Sequence, residues 1–386
     1  MDFLGALAGF TSSLAITIPA FLFVLVVVVF IHELGHFLVG RWCGVGVTSF
    51  SIGFGPEIFG WTDRHGTRWK VSAIPLGGYV KFVGDQNAAS APDSADLATM
   101  NAAERAVSFH HKPVWKRAAI VAAGPIANFL LAILVFAGLT YFAGRYVVEP
   151  RVEGVTPGSV AERAGFQPGD VIRTIDGRAI QGFDDLRRIV SARAESSLTF
   201  VVDRGGETVT LTASPDMVED RTPFGKHRIG RLGLRGPDAR EARLVRYGLL
   251  ESLGYGVSES YYVVDRTFDY LGKLIVGRES ADQLSGPIRI AQVSGQVATF
   301  SGLVGLVSLI AVLSVSIGLI NLFPVPMLDG GHLLFYAVEA VRGRPLSDRA
   351  QEIGFRIGLA LVLMLMLFAT WNDIVHLGAS LTAGRT

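Results

Sequence analysis

Four stretches of this chain are apolar for long enough to cross a bilayer: Leu14 to Val39, Ala118 to Phe142, Leu303 to Leu322 and Ile353 to Trp371. A hydrocarbon core of about 30 Å takes about 20 helical residues, and backbone within it must satisfy its own hydrogen bonds. Each stretch is therefore expected to be a transmembrane helix. With 50% hydrophobic and only 18% charged residues, the chain fits a polytopic membrane protein and not an ordinary soluble enzyme. No Lys or Arg precedes the first stretch, which is too long and valine-rich for a signal peptide and reads as a retained span. The net charge of +1 points to no nucleic-acid partner, and the single cysteine, Cys43, excludes an internal disulfide framework and a Cys-rich metal site.

Lys and Arg collect in cytoplasmic loops of membrane proteins. The segment between the first two spans carries Arg41, Arg64, Arg68, Lys70, Lys81, Arg105, Lys112, Lys116 and Arg117, whereas residues 1 to 40 carry none. The link between the last two spans holds Arg342, Arg344 and Arg349. Both loops belong inside if the N-terminus faces outward, which places the block from about 145 to 300 outside. That block begins with short alternating runs, Val171 to Ile175, Leu198 to Val202 and Thr208 to Leu211, divided by Gly, Asp and Pro turns, with one amphipathic helix near Asp184 to Ala192. Its residues GSVAERAGFQPGDVIRTIDG resemble a PDZ domain of the bacterial protease type. Such domains bind a peptide or a free C-terminus by adding a strand to a sheet edge, and a steric spacer or filter is the alternative use. Between Leu244 and Val276, interleaved apolar and charged residues predict a helix lying on the outer membrane surface.

Inside the first span stands His32-Glu33-Leu34-Gly35-His36. Two histidines four residues apart share one helix face and can offer two imidazoles to one zinc ion, with Glu33 beside them as general base. Three ionisable residues within five positions at membrane depth cost several kcal/mol unless they are paired or functional. A catalytic zinc needs a third protein ligand. Asp329 is the candidate, in NLFPVPMLDGGH just past the third span, where Pro324 and Pro326 end the helix and leave the chain free to turn inward. His32 lies 18 residues after Leu14 and Asp329 lies 26 after Leu303, so both approach the cytoplasmic side on spans running in the same direction.

The HExxH in the first span, GPIAN at 124 to 128, the PDZ-like insertion and NLFPVPMLDGG, in this order, resemble the site-2 protease family of intramembrane zinc metalloproteases, most closely its RseP-like branch. The resemblance implies a multi-pass protein of the bacterial inner membrane with four transmembrane helices, an inserted β-rich PDZ domain and a membrane-associated β-hairpin. Its parts would be an N-terminal membrane part (1–144), a periplasmic PDZ domain (145–225), a membrane-surface linker (226–302) and a C-terminal membrane part (303–386). By the same resemblance His32, His36 and Asp329 bind Zn2+ and Glu33 activates water near the cytoplasmic side. Substrates would be single-span membrane proteins such as an anti-sigma factor, cut within the bilayer after an outer protease has trimmed them; clearance of leftover signal peptides is the other duty. The departure from the family's best-known members is a single PDZ domain in place of two.

A transmembrane helix has its carbonyls already bonded, so a substrate must unwind before attack and needs substitute partners. The segment 66–85 alternates in β fashion around Pro75, Gly77 and Gly78 and is apolar enough to re-enter the membrane, where an edge strand through Gly77, Gly78 and Tyr79 would pair with unwound substrate. Asn321 is a further candidate for substrate backbone, with an interhelical hydrogen bond as its alternative. Asn128 reads as a packing residue, His332 as a neighbour of the zinc ligands or an interfacial residue, and His110 and His111 as an interface anchor. Two other classes are weighed against the protease. A PDZ-containing adaptor with a non-catalytic zinc site has no need of Glu33, and a transporter using the same polar residues calls for inverted repeats, which the sequence does not show.

Overall fold

The computed structural model describes residues 3–86, 97, 99–222, 225–277, 281, 284 and 286–383. They fall into two compact units, Met1–Ala137 with Leu253–Thr267 and Leu284–Ile374, and Gly138–Ser252 with Phe268–Gln283 and Val375–Thr386. The helices of ten residues or more are, in chain order, α1 (Phe3–Trp42), α2 (Val114–Ala143), α3 (Phe183–Ala192), α4 (Leu249–Ile275), α5 (Pro287–Asn321), α6 (Asp329–Arg342) and α7 (Asp348–Ala383). Among the described residues four helical segments are long and apolar enough to span a membrane: Leu14–Trp42, Val114–Ala143, Pro287–Asn321 and Arg349–Val375.

In the first unit α1 and α5 run parallel. Thr17 meets Gly295, Val24 and Val28 share a core with Ile310, and His32 meets Asn321. The α2 helix runs the other way, with Ile120 at His36, Ala123 at Gly35 and Asn128 at His32. Opposite ends of α2 and α1 are thus brought level, and the middles of α1, α2 and α5 are packed through Val, Ile, Ala and Phe side chains.

The α5 helix is broken at Gly302 (φ 58, ψ −148), a backbone conformation that favours glycine. Hydropathy begins at Leu303, so the expected span is the rod that ends beside His32, named the inner rod for its nearness to that residue, and residues 287 to 301 form a separate rod ahead of it, the outer rod. The outer rod starts at Gly286, which has no side chain to cap it. Asp373 of α7 does so instead, accepting from the backbone N–H of Gly286 and of Arg289 at 3.0 Å each.

Between α1 and α2 lies a sheet built from two long, bent strands, β1 (Val47–Thr62) and β2 (Arg68–Phe82). They fold back on themselves, because the register of their pairing shifts repeatedly. Val47 to Ile52 lies between Gly78 to Phe82 on one side and Arg68 to Val71 on the other, and Glu57 to Thr62 pairs beyond Arg68 to Ser72. Phe50 is stacked on Trp69 at 4.4 Å and meets Phe37 of α1 at 5.7 Å, which seats the sheet against the first span. Gly78 to Phe82 forms the edge nearest that helix. The β structure expected over 66–85 is present but is not a hairpin closed on itself: its two halves flank residues 47 to 52, and the strand 47 to 62 that pairs with them is the addition that the structure makes.

The second unit has its own core, with Val152, Ile172, Ile175, Leu186, Leu198, Phe200 and Val202 buried together. A four-stranded antiparallel sheet carries Arg178–Ala179, Val171–Ile175, Leu198–Arg204 and Glu207–Ala213 in that order. The amphipathic α3 buries Leu186 and Val190 against it. A further hairpin, Asp216–Thr222 with Gly225–Arg231, leads to Leu232 in the same core and to Leu234–Arg235, which pairs with Gly154–Val155. This unit therefore continues past residue 225.

Candidate metal centre

His32 and His36 stand one turn apart on α1, and their Nε2 atoms are 3.2 Å from each other. Asp329, the first residue of α6, brings Oδ2 to 3.1 Å from His32 Nε2 and 3.6 Å from His36 Nε2. It is delivered there by the turn that follows α5. Leu322 to Leu328 reverses through Pro324 and Pro326, and a side chain at Gly330 would collide with the carbonyls of Leu322 and Phe323, so the turn closes directly onto α6. Burial alone would raise the Asp329 carboxyl, but His36 and His32 beside it hold it well below the usual carboxylate range. It is ionised, as a metal ligand must be.

The outer nitrogens of both imidazoles are fixed by α2. His36 Nδ1 donates to the carbonyl of Ile120 at 2.9 Å, which leaves Nε2 as a bare lone pair. His32 Nδ1 faces the side-chain amide of Asn128 at 3.3 Å, and Asn128 Oδ1, also buried, has no hydrogen-bond partner. A half-turn of that amide lets Oδ1 accept from His32 Nδ1–H and puts Nδ2 in the place that Oδ1 held. Both Nε2 atoms then point their lone pairs at Asp329 Oδ2, itself buried and without a hydrogen-bond donor. Three acceptor atoms then meet within 3.6 Å of one another, an arrangement that a cation among them stabilises. Ligands about 2.0 to 2.1 Å from a tetrahedral zinc are about 3.3 Å apart, and the three separations bracket that value. The residues fit the ion.

Close approach makes this possible. A side chain at Gly124 would run into His36 Nε2 and come within 2.9 Å of His32 Cε1, so only glycine lets α2 lie against the rings. The Glu33 side chain is packed against Gly78, and its carboxylate accepts the backbone N–H of Val80 on the sheet edge. Alternate residues of a strand face the same side, so Gly78 directs its backbone groups to the open side as Val80 does. A cavity of about 790 Å3 opens over the site, lined by Glu33, Gly77, Gly78, Tyr79, Asn321 and His332 as well as the three candidate ligands. The Asn321 amide is 3.3 Å from His32 Nε2.

The structure thus brings His32, Glu33, His36, Asn321, Asp329 and the Gly77 to Tyr79 strand into one cavity. Asn128 is the residue that sequence reasoning missed, and the signal was available: a buried amide in the middle of an apolar span calls for a partner. His332 lines the cavity, and burial holds its imidazole below the ordinary histidine value. His110 pairs with the buried Asp85 at 2.9 Å, and His111 meets Ser108 at 3.1 Å.

The sequence comparisons agree with this chemistry. The family model described as peptidase family M50 matches residues 20–365. A Rhizobium meliloti protein named "putative zinc metalloprotease" is 55% identical over 94% of this chain and 97% of its own length. The metalloprotease MmpA of Caulobacter vibrioides is 46% identical over 93% of this chain and 95% of its own, and a Rickettsia conorii protein with the same name as the first is 34% identical over 94% and 99%.

Proposed function

The chain belongs to peptidase family M50, the site-2 proteases, and is a membrane zinc metalloprotease; from that premise we propose that it hydrolyses peptide bonds within or near the transmembrane segments of single-span proteins, with His32, His36 and Asp329 as zinc ligands and Glu33 as general base. The observation that carries the assignment is the convergence of two imidazole nitrogens and a carboxylate oxygen, 3.1 to 3.6 Å apart, beside the Glu33 carboxylate in one cavity.

Bound zinc supplies a Lewis acid that polarises the scissile carbonyl and brings a water molecule toward deprotonation near neutral pH. Glu33 accepts the proton of that water and delivers it to the amide nitrogen as the carbon–nitrogen bond breaks, so the carboxylate is regenerated. The Val80 N–H keeps the carboxylate facing the cavity during both transfers. The Asn321 amide, beside the reacting centre, donates to substrate carbonyl oxygen. A substrate unwound in the cavity pairs with the strand edge at Gly77 to Tyr79, which replaces helical hydrogen bonds lost in unwinding.

The finer reading is regulated proteolysis in a bacterial inner membrane, with an anti-sigma-like protein as substrate. The second unit is a periplasmic PDZ domain that takes a peptide or C-terminus or screens substrates by size. The four-stranded sheet with α3 supports the PDZ assignment; the parallel course of α1 and α5 supports a shared metal site, and the Lys and Arg residues that follow α1 between 41 and 117 support its lying near the cytoplasmic side. The test uses purified protein in lipid and a tagged single-span substrate lacking its outer domain. Cleavage is expected to vanish on chelation and to fall at least about 100-fold in Glu33→Gln, which should still bind zinc. A Gln variant that cuts as fast as the parent refutes the role of Glu33.

A further inference from the structure

One face of α2 carries Arg117, Ile120, Gly124 and Asn128, spaced by three, four and four residues, so all four lie in one stripe. Ile120, Gly124 and Asn128 each touch His36 or His32. Arg117 touches neither. Its guanidinium reaches Glu339 at 2.6 Å and lies 4.9 Å from the centre of the Tyr336 ring. Both partners are on α6, the helix that begins with Asp329.

We infer that the Arg117–Glu339 pair is a positioning device for the third metal ligand, and that through it α2 sets the geometry of all three. The inference rests on the reading of His32, His36 and Asp329 as the zinc site. The two side chains are each 12% exposed, and Arg117 Nε is tied to the carbonyl of Lys112 at 3.0 Å, so the guanidinium has little freedom of its own. Glu339 lies ten residues beyond Asp329, about 15 Å along the same helix. A rigid helix transmits rotation over that length. Turning α6 by about 20° moves a carboxylate oxygen carried about 5 Å from the axis by almost 2 Å. A metal site tolerates about 0.5 Å.

The alternative, a pair that only adds stability, is weak on physical grounds. Desolvating two charges offsets most of their attraction, and replacing a buried pair by apolar residues of similar volume is often neutral or stabilising. This separates the two roles experimentally. The full chain in detergent is titrated with zinc against a chromophoric chelator, and thermal unfolding of the zinc-free protein is followed in parallel. The double variant R117M/E339M is expected to unfold at the parent temperature or above yet bind zinc about 10- to 100-fold more weakly. Parent-like zinc affinity in that variant overturns the inference. Should it fail to fold, R117K and E339Q are judged by the same criterion, since each keeps most of the packing and loses the paired geometry. His32→Ala serves as the control on the underlying reading: if it binds zinc as the parent does, the site assignment fails, and with it the inference.

Discussion

Removing the Asn128 side-chain amide should weaken zinc binding without a matching loss of stability in the metal-free protein. Asn128 is fully buried, His32 is 8% exposed, and their side chains are 3.3 Å apart. When His32 Nε2 holds the metal, the ring proton is on Nδ1, and in Asn128→Ala that donor has no acceptor. Leaving a buried donor unpaired costs about 1 to 3 kcal/mol, which is about 5- to 140-fold in the dissociation constant at about 1.4 kcal/mol per tenfold. The zinc-free protein escapes this cost. Its imidazole can move the proton to Nε2 and donate to Asp329 Oδ2 at 3.1 Å. The whole effect therefore falls on the metal-bound form. Chelator competition on the parent, Asn128→Ala and Asn128→Asp measures it, with thermal unfolding of each metal-free protein as the reference. Asn128→Asp supplies a stronger acceptor and should bind at least as tightly as the parent. Parent affinity in Asn128→Ala, or a loss no larger than its loss in metal-free stability, refutes the reasoning.

Three further outcomes follow from the same contacts. Gly124→Ala puts a methyl group into the His36 ring, so zinc binding should fall below detection in the titration while the apolar spans still insert; a variant with parent stoichiometry would show that α2 can move aside. Asp373→Ala removes both acceptors at the start of α5 and should lower stability to unfolding by about 1 kcal/mol or somewhat more, given that two donors are left unpaired; an unchanged melting temperature would contradict the capping role. Deleting residues 149 to 213 should raise cleavage of substrates that retain an outer domain, and unchanged selectivity would remove size screening from the account.

The candidate metal centre was legible wherever its chemistry is local. His32, Glu33 and His36 fall within one turn, and Asp329 follows a span end marked by two prolines, so residue type and helical period were enough. The contacts that hold these groups were not legible. Ile120, Asn128 and Glu339 are linked to their partners across 84, 96 and 222 residues, and a backbone carbonyl such as that of Ile120 leaves no mark in a side-chain pattern. The first strand of the sheet was hidden for a different reason. Gly53, Gly55 and Pro56 break its alternation, and it is stabilised by pairing with Arg68–Phe82 on both sides rather than by its own propensity. Hydropathy found the inner rod of α5 at Leu303 but could not see the helix ahead of it, whose residues are too mixed to register as a span.

The break at Gly302 gives α5 the mechanics of a shaft with a universal joint. The outer rod is clamped by Asp373 at its start and by the fit of Gly295 against Thr17. The inner rod ends in Asn321 beside His32. A continuous helix would carry any torque applied at residue 287 down its whole length and swing the Asn321 amide away from His32. With the joint, a load on the outer rod is absorbed at one pair of backbone angles, and the aim of Asn321 is left to the helices packed along residues 303 to 321.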